Sequence, residues 1–179
     1  MKNFEKVFVG LGLSVAALFL LNSCAVGVPK GAEAVTNFDA DKYLGKWYEI
    51  ARFDYRFEKN MDQVTATYSK KENGNIKVDN RGYDYKKDKW KESVGEAKFV
   101  KNPNVAELKV SFFKPIWASY NVIDIDEDYK YALVVGNNLD YLWILSREKT
   151  LPDSYKQRFL AKARSLGFET EKLIWVKQK

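Results

Sequence analysis

The chain of 179 residues contains no histidine and one cysteine, Cys24. Without histidine there is no Ser/His/Asp or Cys/His nucleophile system and no imidazole ligand for a metal. A lone cysteine excludes an intramolecular disulfide, so the fold rests on its core alone. No glycine-rich phosphate loop is present, which argues against nucleotide chemistry. Carboxylates are plentiful, but they fall mainly in turn-like stretches (Asp126, Glu127, Asp128) or at outward strand positions (Glu96, Glu107), where solvation accounts for them. The formal net charge of +6 is spread along the chain rather than gathered into a basic patch, so no nucleic-acid partner is expected. These absences point to a non-catalytic protein with no cofactor and no metal.

Long apolar runs are also missing, except at the N-terminus. Lys2 and Lys6 precede an uncharged run over residues 7–21, followed by Leu21-Asn22-Ser23-Cys24. A basic start, an apolar stretch and a small residue before the break read as a secretory signal over residues 1–23. The run is shorter than the roughly 18 apolar residues a spanning helix needs. Leu-x-Ser-Cys resembles the lipobox of bacterial lipoproteins, which implies that Cys24 is acylated and becomes the first mature residue. The alternative is ordinary cleavage with Cys24 as a stray thiol. Ala25, where an aspartate would signal retention, implies the outer membrane and its periplasmic face. Residues 24–36 are small and aperiodic and read as a flexible lipidated tether. Residues 37–179 suffice for one domain with one core.

Within that domain short alternating segments are punctuated by turn residues. Val64, Ala66 and Tyr68 alternate with Thr65, Thr67 and Ser69, and Asn73-Gly74-Asn75 makes a hairpin turn. The same period continues through Ile76 and Val78, through Ala97 and Phe99, and through Leu108, Val110 and Phe112. Residues 84–88, Asn102-Pro103-Asn104 and Lys114-Pro115 separate these segments. Further strands are expected over 120–125, 131–135 and 141–146, divided by Asp126-Glu127-Asp128 and Gly136-Asn137-Asn138. With the strand beginning at Trp47 the count is eight. Eight antiparallel strands suggest a sandwich or a barrel, and closure into an up-and-down barrel removes the edges. Tyr155, Phe159, Ala163 and Leu166 instead recur at helical spacing, capped near Pro152-Asp153-Ser154 and ended by Gly167, so one amphipathic α-helix should pack outside the barrel. A short strand over 173–176 should follow it. The fold class is all-β.

Gly45-Lys46-Trp47 resembles the G-x-W signature of the lipocalin family. Asp128-Tyr129 resembles its second signature, with Glu127 in place of a threonine, and Arg147 resembles its third. The longer strings around Trp47, Leu108 and Tyr141 are similar to bacterial outer-membrane lipocalins in particular. In an up-and-down barrel the start of strand one, the sixth connection and the end of strand eight share one end. Gly45, Trp47, Asp128, Tyr129 and Arg147 are therefore expected to form a barrel floor, with Arg147 stacked on Trp47. The alternative makes Trp47 generic core and Arg147 a solvated charge.

Strict alternation turns Ala51, Phe53, Ala66, Asn80, Ala97, Leu108, Val110, Tyr120, Ala132, Tyr141 and Trp143 inward. The alanines suggest a hollow, with Tyr120 near the mouth, although the same side chains would also serve as plain core. Phe53, Ala66, Ala97, Leu108, Val110, Tyr120, Tyr141 and Trp143 are the expected ligand-binding residues. Glu49 also falls inward, where an unpaired carboxylate is costly, so it either meets a buried donor or the strand bends. Tyr55, Phe57, Tyr83, Tyr85 and Trp117 fall on the connections at the open end. The resemblance implies a binder of a lipid-like molecule, a fatty acid or lysophospholipid, held to a membrane by its anchor and serving lipid storage, transfer or envelope maintenance. The competing reading is an envelope-assembly adaptor with a filled barrel. Pairing into a homodimer stays open.

Overall fold

The computed structural model describes residues 26–179; the signal segment and Cys24 lie outside the described residues. A single helical turn, α1 (Ala40–Tyr43), precedes eight strands: β1 (Gly45–Arg52), β2 (Met61–Lys70), β3 (Ile76–Asp84), β4 (Lys89–Phe99), β5 (Glu107–Phe113), β6 (Ile116–Ile125), β7 (Tyr131–Val135) and β8 (Leu142–Ser146). Each strand pairs antiparallel with the next, and β1 pairs with both β8 and β2, so the sheet closes into a barrel. Helix α2 (Asp153–Ser165) and a two-residue strand, β9 (Ile174–Trp175), complete the chain.

Helix α2 lays Phe159, Leu160 and Ala163 on the outer wall against Ile123, Leu133, Val135, Leu142 and Ile144. Strand β7 is consequently buried on both faces, Ala132 and Val134 inward and Leu133 and Val135 outward, which explains its unbroken apolar sequence. The helix ends in a Schellman arrangement. Gly167 adopts a φ of 92°, its N–H donates to Arg164 O, and the Phe168 N–H donates to Ala163 O.

A bulge in β1 changes the inward set. Glu49 pairs with Leu145, yet Ala51 rather than Ile50 pairs with Ile144. The extra residue puts both Ile50 and Ala51 on the outer face beneath α2 and returns Arg52 to the interior. Ala51 and Phe53, expected inward from strict alternation, are therefore outside. Phe53 stacks on Phe168, 6.3 Å between ring centres.

Past the bulge β1 parts from β2, and the C-terminus fills the gap. Strand β9 pairs with Ala51 and Arg52. The Val176 N–H donates to Ile50 O and the Gln63 N–H donates to Lys177 O. Gln178 Nε2 spans both strands, donating to Glu49 O and Val64 O.

The stretch read as a flexible tether is, from Gly27 onward, a strap along the wall. Gly27 donates to Ser119 Oγ and accepts from Asn121 Nδ2 on β6. Further on, the Val35 N–H donates to Val122 O, and Val35 O accepts from the Ala106 N–H.

Candidate ligand-binding site

The barrel has a sealed floor. Asp39 caps α1 by accepting from the Asp41 and Lys42 N–H groups, which lays the turn across the end of the barrel. The Arg147 guanidinium sits 3.9 Å from the centre of the fully buried Trp47 ring. It donates to the carbonyls of Lys42, Leu44 and Lys46, each at 2.8 Å, and through Nε to Tyr129 O. One cation thus stacks on the floor indole and satisfies the carbonyls at the end of α1. Trp47 Nε1 donates to Tyr43 O. Gly45 has a φ of 92°, and a Cβ there would stand 3.3 Å from an Arg147 nitrogen, so glycine serves both the backbone and the close approach. Tyr129 accepts from the Asp39 N–H through its hydroxyl. Asp128 stands apart from this group: it is exposed and pairs with Lys130, while Asp126 organises the turn by accepting from the N–H groups of Asp128, Lys130 and Tyr131.

Above the floor Tyr120 holds its hydroxyl 2.6 Å from that of Tyr43 and 2.8 Å from that of Tyr68. Burial raises the pKa of all three phenols, which stay neutral. The mouth-level position expected for Tyr120 does not hold for its polar end, which is tied to α1. Higher still, the inner wall is unevenly filled. Ala97, Leu108 and Val134 are fully buried, whereas Ala66, Asn80, Val110, Phe112 and Trp143 point inward and remain half-exposed. Ser93 pairs with Asn80 and Ala118 pairs with Val110, so both share the inner face, and both are solvent-exposed. Inward residues keep exposure only beside a hollow, which lies along β2 to β6 and opens toward the mouth. Asn80 Oδ1 is buried there without a hydrogen-bond partner. Another groove of about 460 Å³ runs outside, beside α1, between Leu44, Ile76 and Phe99 and the charged Asp41 and Lys70.

The Lipocalin-like domain family model matches residues 38–178. The chain belongs to the lipocalin family. It is 53% identical to the Outer membrane lipoprotein Blc of Citrobacter freundii over 166 residues, covering 92% of this chain and 94% of that protein. The protein of the same name from Escherichia coli (strain K12) is 49% identical over the same coverage. Among solved structures, the allergen Per a 4 from cockroaches superposes with a TM-score of 0.66 at 22% identity, covering 88% of this chain and 96% of that one. The outer-membrane location implied by the N-terminal sequence is that of these bacterial relatives. Lipocalins are in general binding proteins rather than enzymes.

On the β1–β2 side this lipocalin barrel is closed by polar chemistry that strict alternation does not foresee. Arg52, 1% exposed, donates to Glu49 at 3.1 Å and lies 3.8 Å from Glu58. Its Nη2 donates to Glu58 O and Met61 O. Glu49 does face inward, and Arg52 is the buried donor it meets. Burial pushes the Glu49 and Glu58 carboxyls above their ordinary range, and for Glu49 the neighbouring Glu58 charge adds to the rise. Trp143 Nε1 donates to Glu58. Tyr55 folds over this cluster, its hydroxyl bonded to the Leu142 backbone and its ring 5.3 Å from Tyr141 and 4.8 Å from Trp143. Of the expected ligand-binding residues, Ala66, Ala97, Leu108, Val110, Tyr120 and Trp143 face the interior. Tyr141 joins the aromatic stack at the mouth, and Phe53 lies outside. Trp117, expected on the rim, sits on the outer wall between Lys98 and Lys109. Ser93, Phe112 and Ala118 complete the hollow; a strand start at Lys89 and Ile116 would have brought Ser93 and Ala118 into the inward set.

Proposed function

We propose that this outer-membrane lipocalin carries a single-chain amphiphile, a fatty acid or lysophospholipid, in its barrel. Acylated Cys24 holds it to the periplasmic face, and the cargo serves lipid storage, transfer or envelope maintenance. The observation that carries the reading is the half-exposed inner wall of Ala66, Val110, Phe112 and Trp143 above a sealed floor. An acyl tail lies along that wall, and the polar head stays near Ser93 and the mouth. Burying about ten methylenes at about 0.8 kcal/mol each gives a gross gain of about 8 kcal/mol. Lost freedom takes back part of it, which leaves an affinity around micromolar.

Native mass spectrometry of purified protein should reveal a co-purifying lipid, and Trp143 fluorescence should change as a lysophospholipid is added. Ala66→Trp fills the hollow and should lower affinity at least tenfold with the circular dichroism spectrum unchanged. Ala118→Trp, at an exposed position, should slow uptake without touching the core. Parental affinity in both folded variants overturns the barrel as the binding site. One observation favours a second reading, a filled adaptor barrel: Tyr55 and the Glu49–Arg52–Glu58 cluster occlude part of the mouth. Lipid-free protein that takes up no amphiphile supports that reading instead.

A further inference from the structure

The two ends of the barrel differ in what they expose. All four connections at the mouth carry large apolar side chains held in solvent: Phe57 is 66% exposed, Tyr85 50%, Phe113 77%, Ile116 63% and Leu139 43%. No exposed large apolar side chain occupies a floor connection among the described residues; those connections end in Asn73-Gly74-Asn75, Asn102-Pro103-Asn104 and Glu127-Asp128. The mouth also carries an excess of cations. Arg56, Lys59, Lys86, Lys87 and Lys89 are exposed there against Asp54, Asp88 and Asp140, while Lys114 pairs with Glu96.

The strap supplies the orientation. Gly27 is fixed to Ser119 and Asn121, and Asn121 Nδ2 also donates to Gly136 O, where the β7–β8 connection begins. The described chain therefore leaves the wall half-way along β6, beside the start of the mouth-side β7–β8 connection. Three Cα–Cα steps separate Gly27 from Cys24, a reach of about 10 Å at full extension. The floor end of β6, Ile125, lies four to six residues beyond these anchors, about 13–20 Å at the usual rise per strand residue.

We propose that the mouth end is a membrane-docking face that rests on an anionic phospholipid surface. Aromatic and aliphatic tips seat at headgroup depth, and the lysine collar meets the negative lipid phosphates. The proposal rests on the acylated Cys24 of the reading above for its orientation, and on the rim's own chemistry for its partner. A lipid then passes between bilayer and hollow without crossing bulk water.

Cys24 is consumed by its acyl group, so an introduced cysteine takes a nitroxide label alone. The mature lipoprotein bearing Phe113→Cys or Asn73→Cys, labelled and reconstituted in vesicles of phosphatidylethanolamine and phosphatidylglycerol, tests the proposal. The label at 113 should collide more with oxygen than with a soluble nickel chelate, and the label at 73 should do the reverse. Replacing Lys59, Lys86 and Lys87 with glutamate, or using phosphatidylcholine alone, should return the label at 113 to water. Equal water access at 113 and 73 overturns the proposal and leaves the rim to a protein partner. A depth at 113 unchanged by charge reversal overturns the anionic surface as partner. The mass of the mature protein reads acylation separately, so failure of the anchor and failure of the face are distinct results.

Discussion

Glu49, Arg52 and Glu58 set two carboxyls against one guanidinium inside the barrel. One charge is compensated, and the other carboxyl keeps its proton because ionising it there leaves a buried charge unpaired. Both carboxyls are raised above the reference value of 4.5, so above that pH the folded state binds more protons than the unfolded one. Their contribution to stability is fully present below the unfolded value, declines as pH rises toward the folded value, and levels off beyond it. Glu49→Gln removes the excess carboxyl. Urea denaturation between about pH 5 and pH 8 should show a shallower loss for the variant, which gains relative to the parent at the alkaline end. Parallel profiles would place the raised carboxyl elsewhere. Glu49 itself was legible in the sequence as an inward carboxylate. Its partner was not, because Arg52 comes inward only through the bulge at Ile50, and a bulge leaves no mark in an alternating pattern. The same one-residue insertion carries Ala51 and Phe53 outside.

At the scale of elements, the strands legible from alternation and turn residues are those that form, although β4 begins at Lys89 and β6 at Ile116, earlier than their apolar sequence suggests. Cross-strand pairing carries β4 through Lys91, Glu92 and Ser93, three consecutive polar residues that show no alternation. Helix α2 was legible from its period and from Gly167. Turn α1 was not: four residues are too few for a period, and only the Asp39 cap marks it. Strand β9 was expected as a strand, but not as the wedge between β1 and β2. Removing residues 174–179 withdraws β9, the buried Val176 side chain and the Gln178 bridge. Burial of a valine-sized side chain contributes about 2 kcal/mol, and the four bonds lost with Val176, Lys177 and Gln178 about 1 kcal/mol each, so the truncation should cost about 6 kcal/mol in urea denaturation. An unchanged midpoint would mean that β1 and β2 close without the wedge.

At the scale of the whole molecule, the sequence carries both the barrel and the membrane address, since each depends on short patterns that need no tertiary information. The hollow was legible only in outline: the alanines mark a thin wall, but which side stays open depends on where Tyr55 and the C-terminus pack. In the function proposed above, the address rests on Cys24. Cys24→Ser should move the protein from the outer-membrane fraction to the soluble fraction, or leave it unprocessed, on fractionation and immunoblotting. Unchanged sedimentation with normal processing would show that another feature holds it. A rim rich in exposed aromatics makes partial retention on anionic membranes the expected residue of that experiment.

The wedge also bears on how the protein is made. Strand β1, near the start of the domain, is completed only by residues 174–178, more than a hundred positions further along the chain. A nascent polypeptide threaded through an export channel in N-to-C order can pair β1 with β2 early, but only along the half below the bulge. Contacts across so great a sequence separation form late and slowly. Closure of the barrel on the β1–β2 side above the bulge therefore waits for residues 174–178.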